Sequence, residues 1–256
     1  GAATAYLEVG CGSAAHLRAL IEALEAGAPT PRRLYGADRV RRELPPGVTR
    51  LANAKPLVDF EGLIFSYELF DALPVHRLIG RDGERPGELW VTLDERGRFR
   101  WQAGELSDPR LISTLSRAGI QLQPGQIADF ARDAEPLYRR LAKSLSRGLL
   151  VTCDYGFETA ALFDPRVRFH GTLACHRRHA VHRDPFRNIG TQDLAAHVDF
   201  GLLVRVGEEE GLRTLAFTRQ APWLLACQIG EELVLADDRT RRETAMLLDG
   251  EGMGET

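Results

Sequence analysis

Two groups of residues in this 256-residue chain have the types and spacing to do chemistry. The first lies in Tyr6-Leu7-Glu8-Val9-Gly10-Cys11-Gly12-Ser13-Ala14-Ala15. A short apolar run ends in a carboxylate, and two glycines follow at the point where a chain leaving a strand turns. Without a Cβ at Gly10 and Gly12, the backbone can approach a bound ligand closely. A carboxylate two residues ahead of the first glycine would repel a pyrophosphate. It suits a ligand that carries an ammonium group and no phosphate, which describes S-adenosyl-L-methionine. Cys11, between the glycines, is counted with the cofactor-binding residues. The second group is Glu68 and Asp71, just after the apolar run Gly62-Leu63-Ile64-Phe65-Ser66. Methyl transfer to an amine or guanidine nitrogen needs in-line positioning. It also needs a carboxylate that orients the donor hydrogens and steadies growing positive charge. Glu68 is the first choice for that role and Asp71 the second.

The elements that must position these groups follow from pattern. The run at 6–9 reads as a strand. Leu17, Leu20, Ile21 and Leu24 repeat at helical spacing, with Ser13 placed to cap the helix and Gly27 to close it. Ala15 fits the relaxed third position of a Gly-x-Gly-x-x-Gly/Ala fingerprint, which keeps a nicotinamide-dependent oxidoreductase as an alternative. Arg33 to Asp38 reads as a second strand, and Asp38 at its tip is expected to accept the ribose hydroxyls. A third strand is expected at 48–51, with Asn53 near the adenine, and a buried fourth strand at 62–66. Strand, glycine turn and helix in this order predict a doubly wound α/β sheet, with ligands beyond the carboxyl ends of its strands.

Beyond the fourth strand, alternation in Glu88–Asp94 and Phe99–Gln102 around Glu95-Arg96-Gly97-Arg98 predicts a hairpin. A short helix is expected at 108–119. Ile127, Phe130, Ala134, Leu137, Leu141 and Leu145 predict one amphipathic helix over 126–145, with Asp129 near a cleft. Residues 148–154 read as a buried strand ending in Asp154-Tyr155-Gly156, which places Tyr155 over the donor or the acceptor. Residues 157–190 show little periodicity and read as a long basic connection that suits an acidic patch on a partner protein. Its His170, His176, His179 and His182 lack an acid or cysteine completing a tetrahedral set, so no metal is expected. Further on, the pattern gives a strand or short helix at 191–198 and a helix capped by Asp199 and ending at Gly211. A strand at 212–218, a helix at 220–228 and a charged helical tail at 231–248 complete it. The expected organisation is a cofactor-binding half at 1–80, an inserted hairpin subdomain at 81–125, and the rest of the core at 126–256.

The motifs also carry a resemblance. Glu8, Gly10 and Gly12 match the Glu/Asp-x-Gly-x-Gly turn of class I methyltransferases. Glu-Leu-Phe-Asp-Ala-Leu-Pro-Val-His at 68–76 resembles a signature of the MidA family of S-adenosylmethionine-dependent methyltransferases. So do Thr152-Cys153-Asp154-Tyr155-Gly156, Gly171-Thr172-Leu173, Asp193-Leu194-Ala195-Ala196-His197-Val198-Asp199-Phe200 and Met253-Gly254, in the same order. The resemblance implies a Rossmann-like class I methyltransferase sheet with helices on both faces. For eukaryotic members it implies arginine methylation of a respiratory complex I subunit. Tyr67 stands where the family has Asn. The family's region ahead of the first strand and its last strand are missing here. Trimmed ends, a reduced form, or a non-catalytic assembly module that keeps the fold would each account for these departures.

Composition excludes other classes. The net charge of −3 argues against a nucleic-acid footprint. No apolar run is long enough to span a membrane. Four dispersed cysteines without Cys-x-x-Cys fit free thiols in a reducing compartment. The preference for arginine over lysine points to a GC-rich bacterial source, so the expected compartment is a bacterial cytoplasm, or the mitochondrial matrix if the source is eukaryotic.

Overall fold

A computed structural model describes residues 5–27, 31, 33–51, 58–83, 85–178, 180–229 and 237–248. The chain divides into a unit running through Leu212 and a second unit from Arg213. In chain order the first unit opens with β1 (Ala5–Val9), α1 (Ala15–Glu25), β2 (Arg33–Ala37), β3 (Val48–Leu51) and β4 (Phe60–Tyr67). Next come β5 (His76–Ile79), β6 (Gly87–Leu93), β7 (Phe99–Gly104), α2 (Arg110–Arg117) and β8 (Ile127–Phe130). The unit continues through α3 (Ala134–Ser144), β9 (Leu145–Cys153), β10 (Gly156–Phe157), α4 (Thr159–Leu162) and α5 (Pro165–Arg168). It closes with β11 (Ala174–Arg177), β12 (Ala180–His182), β13 (Asp193–Ala195), β14 (Val198–Asp199) and α6 (Phe200–Glu209). The second unit holds α7 (Gln220–Ala226) and α8 (Asp238–Leu248).

Five strands form a parallel sheet in the order β3-β2-β1-β4-β9. The order reverses between β1 and β4, so their carboxyl ends flank the crevice where such sheets take ligands. Alternation along β1 sends Leu7 into one core and Tyr6 into another. Leu7 packs with Ile64, Phe70, Ala134, Leu141 and Leu203, beneath α3 and α6. Tyr6 packs with Cys11, Ala14 and Leu17, beneath α1. Helices therefore cover both faces. Asp199 caps α6 as expected, accepting the Leu202 N–H at 3.0 Å.

The hairpin β6–β7 forms as expected, with Leu93 opposite Phe99. It belongs to a larger antiparallel sheet, β7-β6-β5-β8, so the subdomain reaches past 81–125 on both sides. Instead of one helix over 126–145, the chain forms β8, turns, and starts α3 at Ala134. Ile127, Phe130 and Ala134 have helical spacing, but a four-residue stretch such as Ile-Ala-Asp-Phe fits strand and helix alike, and pairing with β5 decides it. The connection at 157–190 is also structured: β11 pairs with β12 and β13. These elements are too short to show a period. Residues 212–219 have no regular structure in place of the expected strand. Ser13 makes no capping bond. Ala14, fully buried at φ 60°, leads into α1, whose first residue, Ala15, is exposed. The small residue the turn requires is thus Ala14, one position earlier than the dinucleotide spacing.

Candidate active site

The turn after β1 keeps its donors for itself. Gly10 and Gly12 have φ of 76° and 47°, where side chains are strained. The Gly10 and Cys11 N–H groups donate to the Ala37 carbonyl at 2.8 and 3.3 Å. The Gly12 N–H donates to Asp38 Oδ2 at 2.8 Å, and Asp38 Oδ1 accepts the Val40 N–H at 2.7 Å. Asp38 therefore ties β2 to the glycine turn, with lone pairs left on both oxygens. A Cβ at Gly10 would lie 2.7 Å from Leu69 Cδ1, whereas one at Gly12 would have nothing closer than 3.9 Å. Leu69 thus covers Gly10, and the open side of the turn is at Gly12. Cys11 is buried in the turn. Burial, then Asp38 and Glu8, push its thiol above the usual range.

Glu8 sits on the α1 face of β1 and is 3% exposed. His16 Nδ1, in the first turn of α1, stands 3.7 Å from Oε1. Oε2 is buried with no hydrogen-bond partner among the described residues. An unsatisfied buried carboxylate oxygen is costly, and an ammonium group satisfies it. The His16 ring lies edge-on to Tyr67, with centroids 4.8 Å apart, and to Phe65 at 6.0 Å.

The second group gathers at the tips of β4 and β9. Glu68 is exposed, and its backbone takes a left-handed φ of 47°. Its N–H donates to the Cys153 carbonyl at 3.0 Å. Asp154, 3% exposed, accepts the Leu69 and Phe70 N–H groups on Oδ2 at 3.0 and 2.8 Å. Its Oδ1 accepts the Tyr155 N–H at 2.9 Å. Asp71 is buried beside it, and Asp71 Oδ1 has no partner among the described residues. Burial lifts both carboxyls above the ordinary range. For Asp71 the next cause is Glu68; for Asp154 it is Asp71. The Tyr155 phenol is raised by burial, then by Glu68 and Asp71. Glu68, Asp71 and Tyr155 therefore do converge on one rim, with His176 also acting on Asp71.

Residues 39–218 match a family model described as a putative S-adenosyl-L-methionine-dependent methyltransferase. The chain belongs to this family. Its fold is similar, with a TM-score of 0.85 and 27% identity, to a likely methyltransferase from Burkholderia thailandensis crystallised with S-adenosyl-homocysteine. That likeness covers 98% of this chain and 69% of the other. An uncharacterized protein from the same organism aligns equally well, with 28% identity over 99% of this chain and 72% of that one. By sequence, the chain is 29% identical over 155 residues to the mitochondrial protein arginine methyltransferase NDUFAF7 homolog of Drosophila melanogaster. It is 30% identical over 150 residues to the NDUFAF7 protein of Xenopus laevis. These matches cover 58% and 56% of this chain and 33% and 31% of those proteins. The chain thus aligns with about a third of the length of its curated relatives.

One other position, Asp129, departs from its sequence reading, and two cannot be compared. Asn53 and His179 lie outside the described residues. Asp129 is on β8, not on a helix, and its carboxylate is taken up by partners within the protein. It is 5% exposed, receives Arg77 Nε at 2.8 Å, and accepts the Thr172 and Leu173 N–H groups at 2.6 and 2.8 Å. Gly171 is required there because a Cβ would lie 2.3 Å from Asp129 Oδ2. The Gly-Thr-Leu motif is therefore a carboxylate cradle. Asp154 and His16 were passed over as site residues by sequence. The only signal for Asp154 was its place at a strand's carboxyl end. His16 had none, because one histidine on an exposed helix carries no pattern. Among the described residues no group of three His, Cys, Asp or Glu side chains could hold a metal. No described helix is long and apolar enough to cross a membrane.

Proposed function

We propose that this chain holds the donor site and catalytic carboxylate of an S-adenosyl-L-methionine-dependent methyltransferase acting on a protein side-chain nitrogen, that of arginine. The observation that carries the reading is Glu8, buried below a glycine turn with Oε2 unpartnered. The turn itself argues against a dinucleotide. Its Gly10, Cys11 and Gly12 N–H groups are already used by Ala37 and Asp38, so they are not free for a pyrophosphate. When bound, the methyl donor supplies a sulfonium methyl group. Glu8, Gly10, Cys11 and Gly12 surround its amino-acid end, and Asp38 accepts from its ribose. Asn53 remains the residue assigned to the adenine.

Glu68 orients the acceptor. A guanidinium is protonated in water, and a carboxylate that fixes one of its N–H groups aims the reacting nitrogen. Asp154 holds the turn that carries Glu68. Asp71, buried beside Asp154, has its carboxyl pushed up to about 6, first by burial and then by Glu68. Tyr155 lines the same rim. The relatives named protein arginine methyltransferases support an arginine acceptor, and a respiratory complex I subunit is the first protein to try. The compartment that goes with this reading is a bacterial cytoplasm or a mitochondrial matrix.

Calorimetry with S-adenosylmethionine, S-adenosylhomocysteine and NADH tests the assignment. Binding of the first two and not the third is expected, and Glu8→Ala should abolish it. Tight NADH binding, or full affinity in Glu8→Ala, would refute it. Tyr67, where the family has Asn, favours a second reading as a non-catalytic module, which predicts donor binding without turnover on any arginine peptide.

A further inference from the structure

We infer that His16 is a specificity residue that takes the α-carboxylate of the methyl donor, so that Glu8 and His16 together read a zwitterion. This rests on the donor site proposed above. The geometry is that of a carboxylate beside an imidazole, a cation when protonated. A carboxylate and an imidazole stand 3.7 Å apart at the start of α1, an ion-pair distance longer than a hydrogen bond. An amino acid's ammonium and carboxylate are attached to one carbon and so are spaced alike. With the ammonium on the unpartnered Oε2 of Glu8, the carboxylate falls toward the imidazole and the first turn of α1.

Three features fit His16 to this task. It is about half exposed, so one ring nitrogen can face a ligand while Nδ1 faces Glu8. Tyr67 and Phe65 flank the ring edge-on and limit its rotation. Contact with Glu8 raises the imidazole's proton affinity, burial opposes this, and the charges of Glu8 and Glu68 add to the rise. The assignment gives Tyr67 a role too, as the ring's support rather than an acceptor contact.

The test compares S-adenosylhomocysteine with its decarboxylated analogue, which keeps the amine and lacks the carboxylate. Binding of both by calorimetry is measured for the unaltered chain, His16→Ala and His16→Arg. His16→Ala should weaken S-adenosylhomocysteine by about tenfold or more, the size of a lost charge-assisted hydrogen bond. It should leave the decarboxylated analogue unchanged, and His16→Arg should restore part of the loss. Equal weakening of both ligands, or no weakening of either, would overturn the inference while leaving the donor site standing. Failure of the unaltered chain to bind either ligand would remove the donor site and this inference together.

Discussion

Asp71 and Asp154 place two buried carboxyls next to each other, and this fixes how the protein responds to pH. Both are held above the ordinary carboxylate range, mainly by burial. The folded chain thus keeps a proton that the unfolded chain has already released. Stability from this pair is greatest at or below the unfolded carboxylate range and declines as pH rises through the raised values. Asp71→Asn removes one charge and lets an amide donate to Asp154. It should raise stability by on the order of 1 kcal/mol at pH 8 and by less at pH 5, read from urea unfolding at the two pH values. An equal effect at both would show that the pair does not share this linkage. Glu68 makes a different trade. Its left-handed φ of 47° is strained for any side chain. Glu68→Gly should therefore be neutral or stabilising by up to about 1 kcal/mol, retain S-adenosylhomocysteine affinity, and lose transfer. Loss of ligand affinity in that variant would reassign Glu68 to the donor.

Among the elements, the junction between the antiparallel sheet and the loop before β11 is the most exacting. Arg77 of β5 and Asp129 of β8 form a buried pair, and Asp129 also gathers two N–H groups of the Gly-Thr-Leu segment. Arg77 additionally lies 5.0 Å over the Trp101 ring of β7. Arg77→Leu strands a buried carboxylate and should cost about 3–5 kcal/mol in thermal or urea unfolding. Gly171→Ala should also cost several kcal/mol, since backbone strain at φ 74° adds to the clash with Asp129. A loss under 1 kcal/mol in both would mean the loop relaxes freely. This junction also marks where sequence reading stopped. The strand-turn-helix of β1 and α1 was legible because its apolar period and glycines are local. Glu68 and Tyr155 were legible because strand tips in such a sheet meet. Asp129 was not. Its meaning comes from Arg77, 52 residues away, and Thr172, 43 residues away. The short strands β10 to β14 carry two to four residues each, too few for any period to show.

At the scale of the whole molecule, a ligand that binds only the folded chain must raise its melting temperature. S-adenosylhomocysteine at about a hundred times its dissociation constant adds roughly 2.7 kcal/mol of apparent stability. NADH at the same concentration should add nothing. A thermal shift scan reads the difference directly, and stabilisation by NADH alone would reverse the functional assignment.

The tip of the β6–β7 hairpin has a practical use. Asp94 bonds only within the tip, accepting the Arg96 and Arg98 N–H groups at 2.9 and 2.8 Å and pairing with the Arg98 guanidinium. That self-contained bend faces solvent, so new sequence spliced between Arg96 and Gly97 would disturb no buried charge. A fluorescent reporter or affinity handle belongs there. Cutting out the same hairpin at its base would take Trp101 away from Arg77, so grafting is the gentler route to a labelled protein.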